Sequence, residues 1–184
     1  MITHDIIGDD MQAVVVTLAA GDEIRAEAGA MTYMTDGIEM DARMQGGLLG
    51  GLKRKFLAGE SLFLTFFRCT AAAGKVAFSA PYPGKILTMA LKNTAILCQR
   101  DSFLCAAGAI DINIEFTKRL GAGFFGGEGL FFAALTGPGR VWLQTLPFSR
   151  LAERIHNAYR SDQGEVKRDF GGALGKIGDL IGGE

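Results

Sequence analysis

The eight residues Ile110-Asp111-Ile112-Asn113-Ile114-Glu115-Phe116-Thr117 alternate apolar and polar side chains without a break. Successive side chains of an extended chain point to opposite faces, so this stretch has one dry face and one wet face only as a β-strand. Shorter runs that alternate, or are apolar throughout, occupy Ala13–Leu18, Ile38–Asp41, Leu62–Phe67, Lys75–Ser79, Ile86–Ala90, Thr94–Cys98, Leu130–Ala134 and Val141–Leu143. Gly, Pro or Asp punctuates most of the gaps, and Asp36-Gly37 is a hairpin-type turn signal. Leu62–Phe67 is apolar at nearly every position, which predicts a strand covered on both faces. Many short strands without helical periodicity between them predict an all-β sandwich, barrel or β-helix.

Three short likenesses recur in the same order along the chain. Ala26-Glu-Ala-Gly-Ala-Met31 returns as Cys105-Ala-Ala-Gly-Ala-Ile110, Gly59-Glu-Ser-Leu-Phe63 as Gly127-Glu-Gly-Leu-Phe131, and Gly74-Lys-Val76 as Gly139-Arg-Val141. Their shared order predicts an internal duplication. Residues 1–148 then form a duplicated β domain with approximate halves 11–84 and 85–148. The remainder, 149–184, reads as a C-terminal helix and glycine-rich tail. Leu151, Ile155, Ala158 and Tyr159 share one helical face there, with Ser149 as N-cap. A second, weaker stripe follows at Phe170, Leu174, Ile177 and Ile181 among glycines that disfavour helix.

Composition narrows the function classes. With 48% hydrophobic and 21% charged residues, the 184-residue chain has the means for a sizeable core. A formal net charge of −1 gives no global electrostatic case for nucleic acid or an anionic membrane. The 26 glycines against 4 prolines suit tight turns and closely approaching backbones. Cys69, Cys98 and Cys105 are odd in number, form no CxxC, and lie in or beside apolar stretches. They read as small hydrophobes in a reduced compartment. The N-terminus has no basic region followed by an apolar one, so a cytoplasmic protein without a signal peptide is expected.

Several stretches imitate catalytic or cofactor motifs. Gly46-Gly-Leu-Leu-Gly-Gly51 has the glycine spacing of a phosphate loop, but Leu52 stands where the lysine must reach the phosphates, and no Ser or Thr follows it. Gly121-Ala-Gly123-Phe-Phe-Gly126 is a formal G-x-G-x-x-G, yet the residues after it read as strand, not as the helix a dinucleotide requires. Both segments sit between corresponding strands and read as glycine-rich connections. Their apolar members, Leu48 and Leu49 in one and Phe124 and Phe125 in the other, are candidate interaction residues. Lys53, Arg54 and Lys55 form a basic cluster, either a solvated loop or a contact for phosphate or lipid headgroups. Glu60 and Glu128 hold equivalent places after a glycine and read as strand-end carboxylates. His4 and His156 lie far apart in sequence, and Ser61 is not in a nucleophile elbow. No catalytic, cofactor or metal site is assigned, and no enzyme is expected.

The ordered set AGAMTYM, GGLLGG, LAGESLF, GKV, AGAI, GEGLFF and GPGRVWLQTLPFSRLAERI resembles a bacterial and archaeal family related to the fungal altered-inheritance-of-mitochondria protein. The likeness runs from about Val14 to Ile155. It implies a duplicated double-stranded β-helix, or a β-sandwich similar to the tryptophan RNA-binding attenuation protein, with a short C-terminal helix. It also implies homo-oligomers, with a trimer the first guess. The mitochondrial relative is associated with inner-membrane organisation. The resemblance supplies no catalytic residues and no Lys/Phe base-reading motif, so RNA binding is not inherited. The leading expectation is a non-enzymatic homo-oligomeric scaffold or interaction module whose first partner is itself. A protein or membrane-surface partner is the next expectation, and a small-ligand or RNA-binding β-protein stands behind both.

Overall fold

A computed structural model describes residues 2–44, 63–117 and 130–159. Two units are distinguished, Met1–Pro147 and the segment from Phe148 onward. The described part of the second is a helix over residues 148–159, where the apolar stripe predicts one. The first unit is all-β. Its strands are β1 (Thr3–Ile7), β2 (Ala13–Ala19), β3 (Glu23–Glu27), β4 (Met31–Met34), β5 (Ile38–Met44), β6 (Phe63–Cys69) and β7 (Ala73–Ser79). They continue as β8 (Ile86–Leu91), β9 (Ala95–Gln99), β10 (Phe103–Gly108), β11 (Asp111–Thr117), β12 (Leu130–Thr136) and β13 (Gly139–Gln144).

The strands form three antiparallel sheets with the orders β1-β2-β7-β4, β5-β6-β3-β10-β13-β8 and β11-β12-β9. These sheets are stacked, with the six-stranded one in the middle. One core lies on its first face, where Val14, Val16 and Leu18 of β2 and Val76 and Phe78 of β7 meet Ile24, Phe67 and Trp142. A second core lies on its other face, where Ile112 of β11 and Ala133 and Leu135 of β12 meet Leu64, Val141 and Leu143. Alternation along β13 makes the division plain: Val141 and Leu143 enter one core, and Trp142 between them enters the other. The apolar run of β6 has the same cause, with Leu64 serving one layer and Phe67 the other.

Turn chemistry fixes the hairpins. Asp22 accepts a hydrogen bond on Oδ2 from the Ala19 N–H at 3.0 Å and closes the β2–β3 turn beside Gly21, whose φ is 80°. Gly37, at φ 77°, ends the β4–β5 turn, and its carbonyl accepts from the Thr70 N–H at 2.8 Å. A Cβ there would fall on the Ala71 side chain. Gly37→Ala is therefore expected to cost about 1–2 kcal/mol from left-handed backbone strain, read as a lowered urea midpoint with an unchanged slope.

The pairing scheme occurs twice. Strand β7 lies between β2 and β4, and β6 between β3 and β5. Likewise β13 lies between β8 and β10, and β12 between β9 and β11. Even the irregularity recurs: the ladder shifts register between Met31 and Tyr33 of β4, and between Phe103 and Cys105 of β10. By position, β4 answers to β10 and β7 to β13, which puts Gly74-Lys-Val76 and Gly139-Arg-Val141 on equivalent strands. The Ala-Gly-Ala likeness does not fit this correspondence. Ala28-Gly29-Ala30 lies in the turn before β4, whereas Ala107-Gly108 ends β10. Both glycines have positive φ, 87° and 86°, so a shared turn requirement explains the resemblance without equivalence.

Candidate functional site

The residues that the sequence singles out for interaction, Leu48, Leu49, Lys53, Arg54, Lys55, Phe124 and Phe125, lie outside the described residues, as do Glu60, Ser61 and Glu128. What the structure places is the strands that bound them. Met44 pairs with Phe63 at the end of the β5–β6 ladder, and Thr117 pairs with Leu130 at the end of the β11–β12 ladder. Segments 45–62 and 118–129 thus leave and re-enter the fold at equivalent ends of equivalent hairpins.

Three polar arrangements stand out among the described residues. The first surrounds β3, whose sequence Glu-Ile-Arg-Ala-Glu alternates, so that Ile24 and Ala26 enter the core beneath the four-stranded sheet. Arg25, on the opposite face, donates to the Gly108 carbonyl at 3.2 Å and to the Ile110 carbonyl. It ties β3 to the turn between β10 and β11, beside a groove of about 360 Å³ lined by Glu23, Ala106 and Asp111 among others. Further along the strand, burial pushes the Glu27 carboxyl up to about 7. The negative charge of Asp101 adds to the rise, and Arg100 opposes it. Arg100 and Asp101 are themselves joined at 3.2 Å in the 3₁₀ turn that precedes β10.

The second arrangement is at β1. Arg140 on β13 approaches His4 Nδ1 at 3.3 Å. A guanidinium has no acceptor, so Nδ1 is the acceptor and the ring proton sits on Nε2, which donates to Thr88 Oγ1 at 3.4 Å. Burial, and then the Arg140 charge, lower the His4 pKa, in keeping with a neutral ring. The imidazole also meets Trp142 edge to face, with centroids 5.3 Å apart. Nearby, a groove of about 290 Å³ runs past Ile2, Ala90, Arg140 and Trp142. His4 thus pins the edge of one sheet to the middle sheet.

The cysteines form the third. Cys69 and Cys105 are buried and Cys98 is half-buried, and all three are free thiols. Burial pushes Cys98 up to about 11 and raises Cys105 well above its ordinary value. Both are thiols at neutral pH, a poor state for a nucleophile or a metal ligand. Among the described residues no group of three or more His, Cys, Asp or Glu is placed to hold a metal ion. No helix among them is long and apolar enough to cross a membrane.

Glu27 bears no mark in the sequence, where a charged residue at the polar phase of β3 reads as solvated. Arg25 carried a signal, an arginine at the polar phase of an alternating strand, that strand assignment would have exposed.

Two streptococcal proteins resemble the chain, one in sequence and one in fold. An uncharacterized protein of Streptococcus pyogenes serotype M6, M6_Spy0233, is 26% identical over 129 residues, covering 67% of this chain and 51% of its own. The crystal structure of SPYM3_0169 from Streptococcus pyogenes superposes with a TM-score of 0.60 at 23% identity, over 79% of this chain and 65% of that one. The chain therefore spans about half of one relative and under two thirds of the other. The family described as mitochondrial biogenesis AIM24 matches residues 4–154, nearly the whole β unit and the start of the helix. On that match the chain belongs to the AIM24 family.

Proposed function

We propose that the protein is a non-enzymatic, cytoplasmic homo-oligomer that serves as a scaffold or interaction module. One observation carries the reading: sheet edges that are open among the described residues bear large apolar side chains. Tyr33 and Met34 on β4 are 44% and 38% exposed, and Leu97 on β9 is 53% exposed. Such edges are templates for pairing with another chain. Segments 45–62 and 118–129, with Leu48, Leu49, Phe124 and Phe125, are the second contact surface in this reading, for a protein or membrane partner. The repeated pairing scheme supports an origin by internal duplication, and the stacked antiparallel sheets agree with a sandwich of the kind the resemblance implies.

Static light scattering at micromolar concentration tests the oligomer. The expected mass is a small multiple of the 19.6 kDa chain, with three copies the first choice. A mass of one chain would overturn the proposal.

A further inference from the structure

We propose that β9 of one chain pairs antiparallel with β4 of a second copy, with Cys98 opposite Tyr33 and Leu97 opposite Met34. This rests on the oligomer reading above and names the strands that build it. A seam inside the chain supplies the template. The two sets of strands join at one place in the middle sheet, where β3 pairs with β10 through Ala26 opposite Cys105, Arg25 opposite Ala106 and Ile24 opposite Ala107. Each seam strand has a positional equivalent. Strand β10 answers to β4, since both pair with the final strand of their set and carry the same register shift. Strand β3 answers to β9, since both pair with the strand before it.

The remaining two equivalents, β9 and β4, would make the same seam, yet neither has a partner on its outer side among the described strands. Strand β4 ends the sheet β1-β2-β7-β4, and β9 ends the sheet β11-β12-β9. Within one chain they cannot meet, because these sheets lie on opposite faces of the six-stranded sheet. A second copy removes that obstacle. The pairing would extend β11-β12-β9 of one chain into β4-β7-β2-β1 of the next.

Composition leaves the same two edges unblunted, together with β8, Ile-Leu-Thr-Met-Ala-Leu, which has no counterpart in the seam. Edge strands are normally blunted by charge, proline or brevity. Strand β5 carries Glu39 and Asp41, and β11 carries Asp111 and Glu115. Strands β4, Met-Thr-Tyr-Met, and β9, Ala-Ile-Leu-Cys-Gln, have neither charge nor proline. The register transfers from the inner seam. Tyr33 lies opposite Ala77 just past the register shift, as Cys105 lies opposite Trp142. Ala26 lies opposite Thr65 and Cys98 opposite Ala133, each two residues from the buried Phe67 or Leu135. The contact is head to tail, so it closes into a ring when the rotation allows and otherwise runs on as an open array.

Cysteine cross-linking of the full chain tests the pairing. In a Cys98→Ala background, Met34→Cys and Leu97→Cys are made as separate variants and also co-expressed. Directly opposed strand residues come within disulfide reach. Mild oxidation is expected to give a reducible dimer from the co-expressed pair and none from either variant alone. A dimer from a single variant would show a two-fold contact, and no dimer from the pair in a protein that remains oligomeric would show a different edge, β8 foremost. Either result overturns the β9–β4 pairing and leaves the oligomer standing. A one-chain mass for the wild type removes both. As an independent check, Leu97→Asp should lower the scattering mass to one chain with an unchanged far-UV spectrum, and an unchanged mass counts against the pairing.

Discussion

Replacing Trp142 by alanine is expected to lower the unfolding free energy by about 3–5 kcal/mol, the range for deleting a large buried aromatic side chain. Trp142 is fully buried in the middle of β13, hydrogen-bonded in register between β10 and β8. Its ring reaches out of the six-stranded sheet into the core that includes Val14, Val16 and Leu104. Removing it leaves a cavity between two sheets, and neither can move in to fill it without breaking its own ladder. His4 would lose its ring contact as well, loosening β1. The chain has one tryptophan, so indole emission reports the wild type only. Urea unfolding of both proteins should therefore be followed by circular dichroism. A loss below about 1.5 kcal/mol, the usual ceiling for a well-tolerated core exchange, would contradict the packing described.

Glu27→Gln is expected to stabilise the protein at pH 8 and to leave it nearly unchanged at pH 4. The folded carboxyl is raised from 4.5 to about 7 by burial first and by Asp101 second. Between those two values the native state holds a proton that the unfolded chain has released. Stability then falls as pH rises through this window, since the unfolded state binds fewer protons. A displacement of this size corresponds to something on the order of 3 kcal/mol above pH 7. Glutamine keeps the shape of the protonated acid and cannot ionise, so the wild-type slope between pH 4.5 and 7 should flatten in the variant. Thermal melts across that interval decide the matter. Equal slopes for the two proteins would place the carboxylate in a far wetter setting than its position on β3 indicates.

The all-β class and most of the strands were legible because they obey the period-two rule. Ile112 and Ile114 turn toward the core while Asp111, Asn113 and Glu115 stay exposed, and the strand is read at a glance. Strand β10 escaped for the opposite reason. Phe103-Leu-Cys-Ala-Ala107 is buried throughout, divided between two cores, and its register shift breaks whatever alternation remained. Strand β3 hid behind three charges, and β4 is only four residues long. The middle sheet still yielded β5, β6, β8 and β13 to the sequence, and the strands that escaped are shared between it, with β3 and β10, and the four-stranded sheet, with β1 and β4. The candidate site was legible only as a place between strands. The edges that complete the inference needed the ladders themselves, since openness belongs to a sheet and not to a residue.

The two matching hairpins have a consequence for how this chain can change over time. From Ile38–Cys69 to Met44–Phe63, and from Asp111–Thr136 to Thr117–Leu130, the strands are locked by ladders pinned to a core. The cost of closing a longer loop grows only slowly with its length. Segments 45–62 and 118–129 can therefore drift, lengthen or be exchanged while the strands beneath keep their register. That makes the ends of these two ladders natural points at which descendants of one framework differ in length.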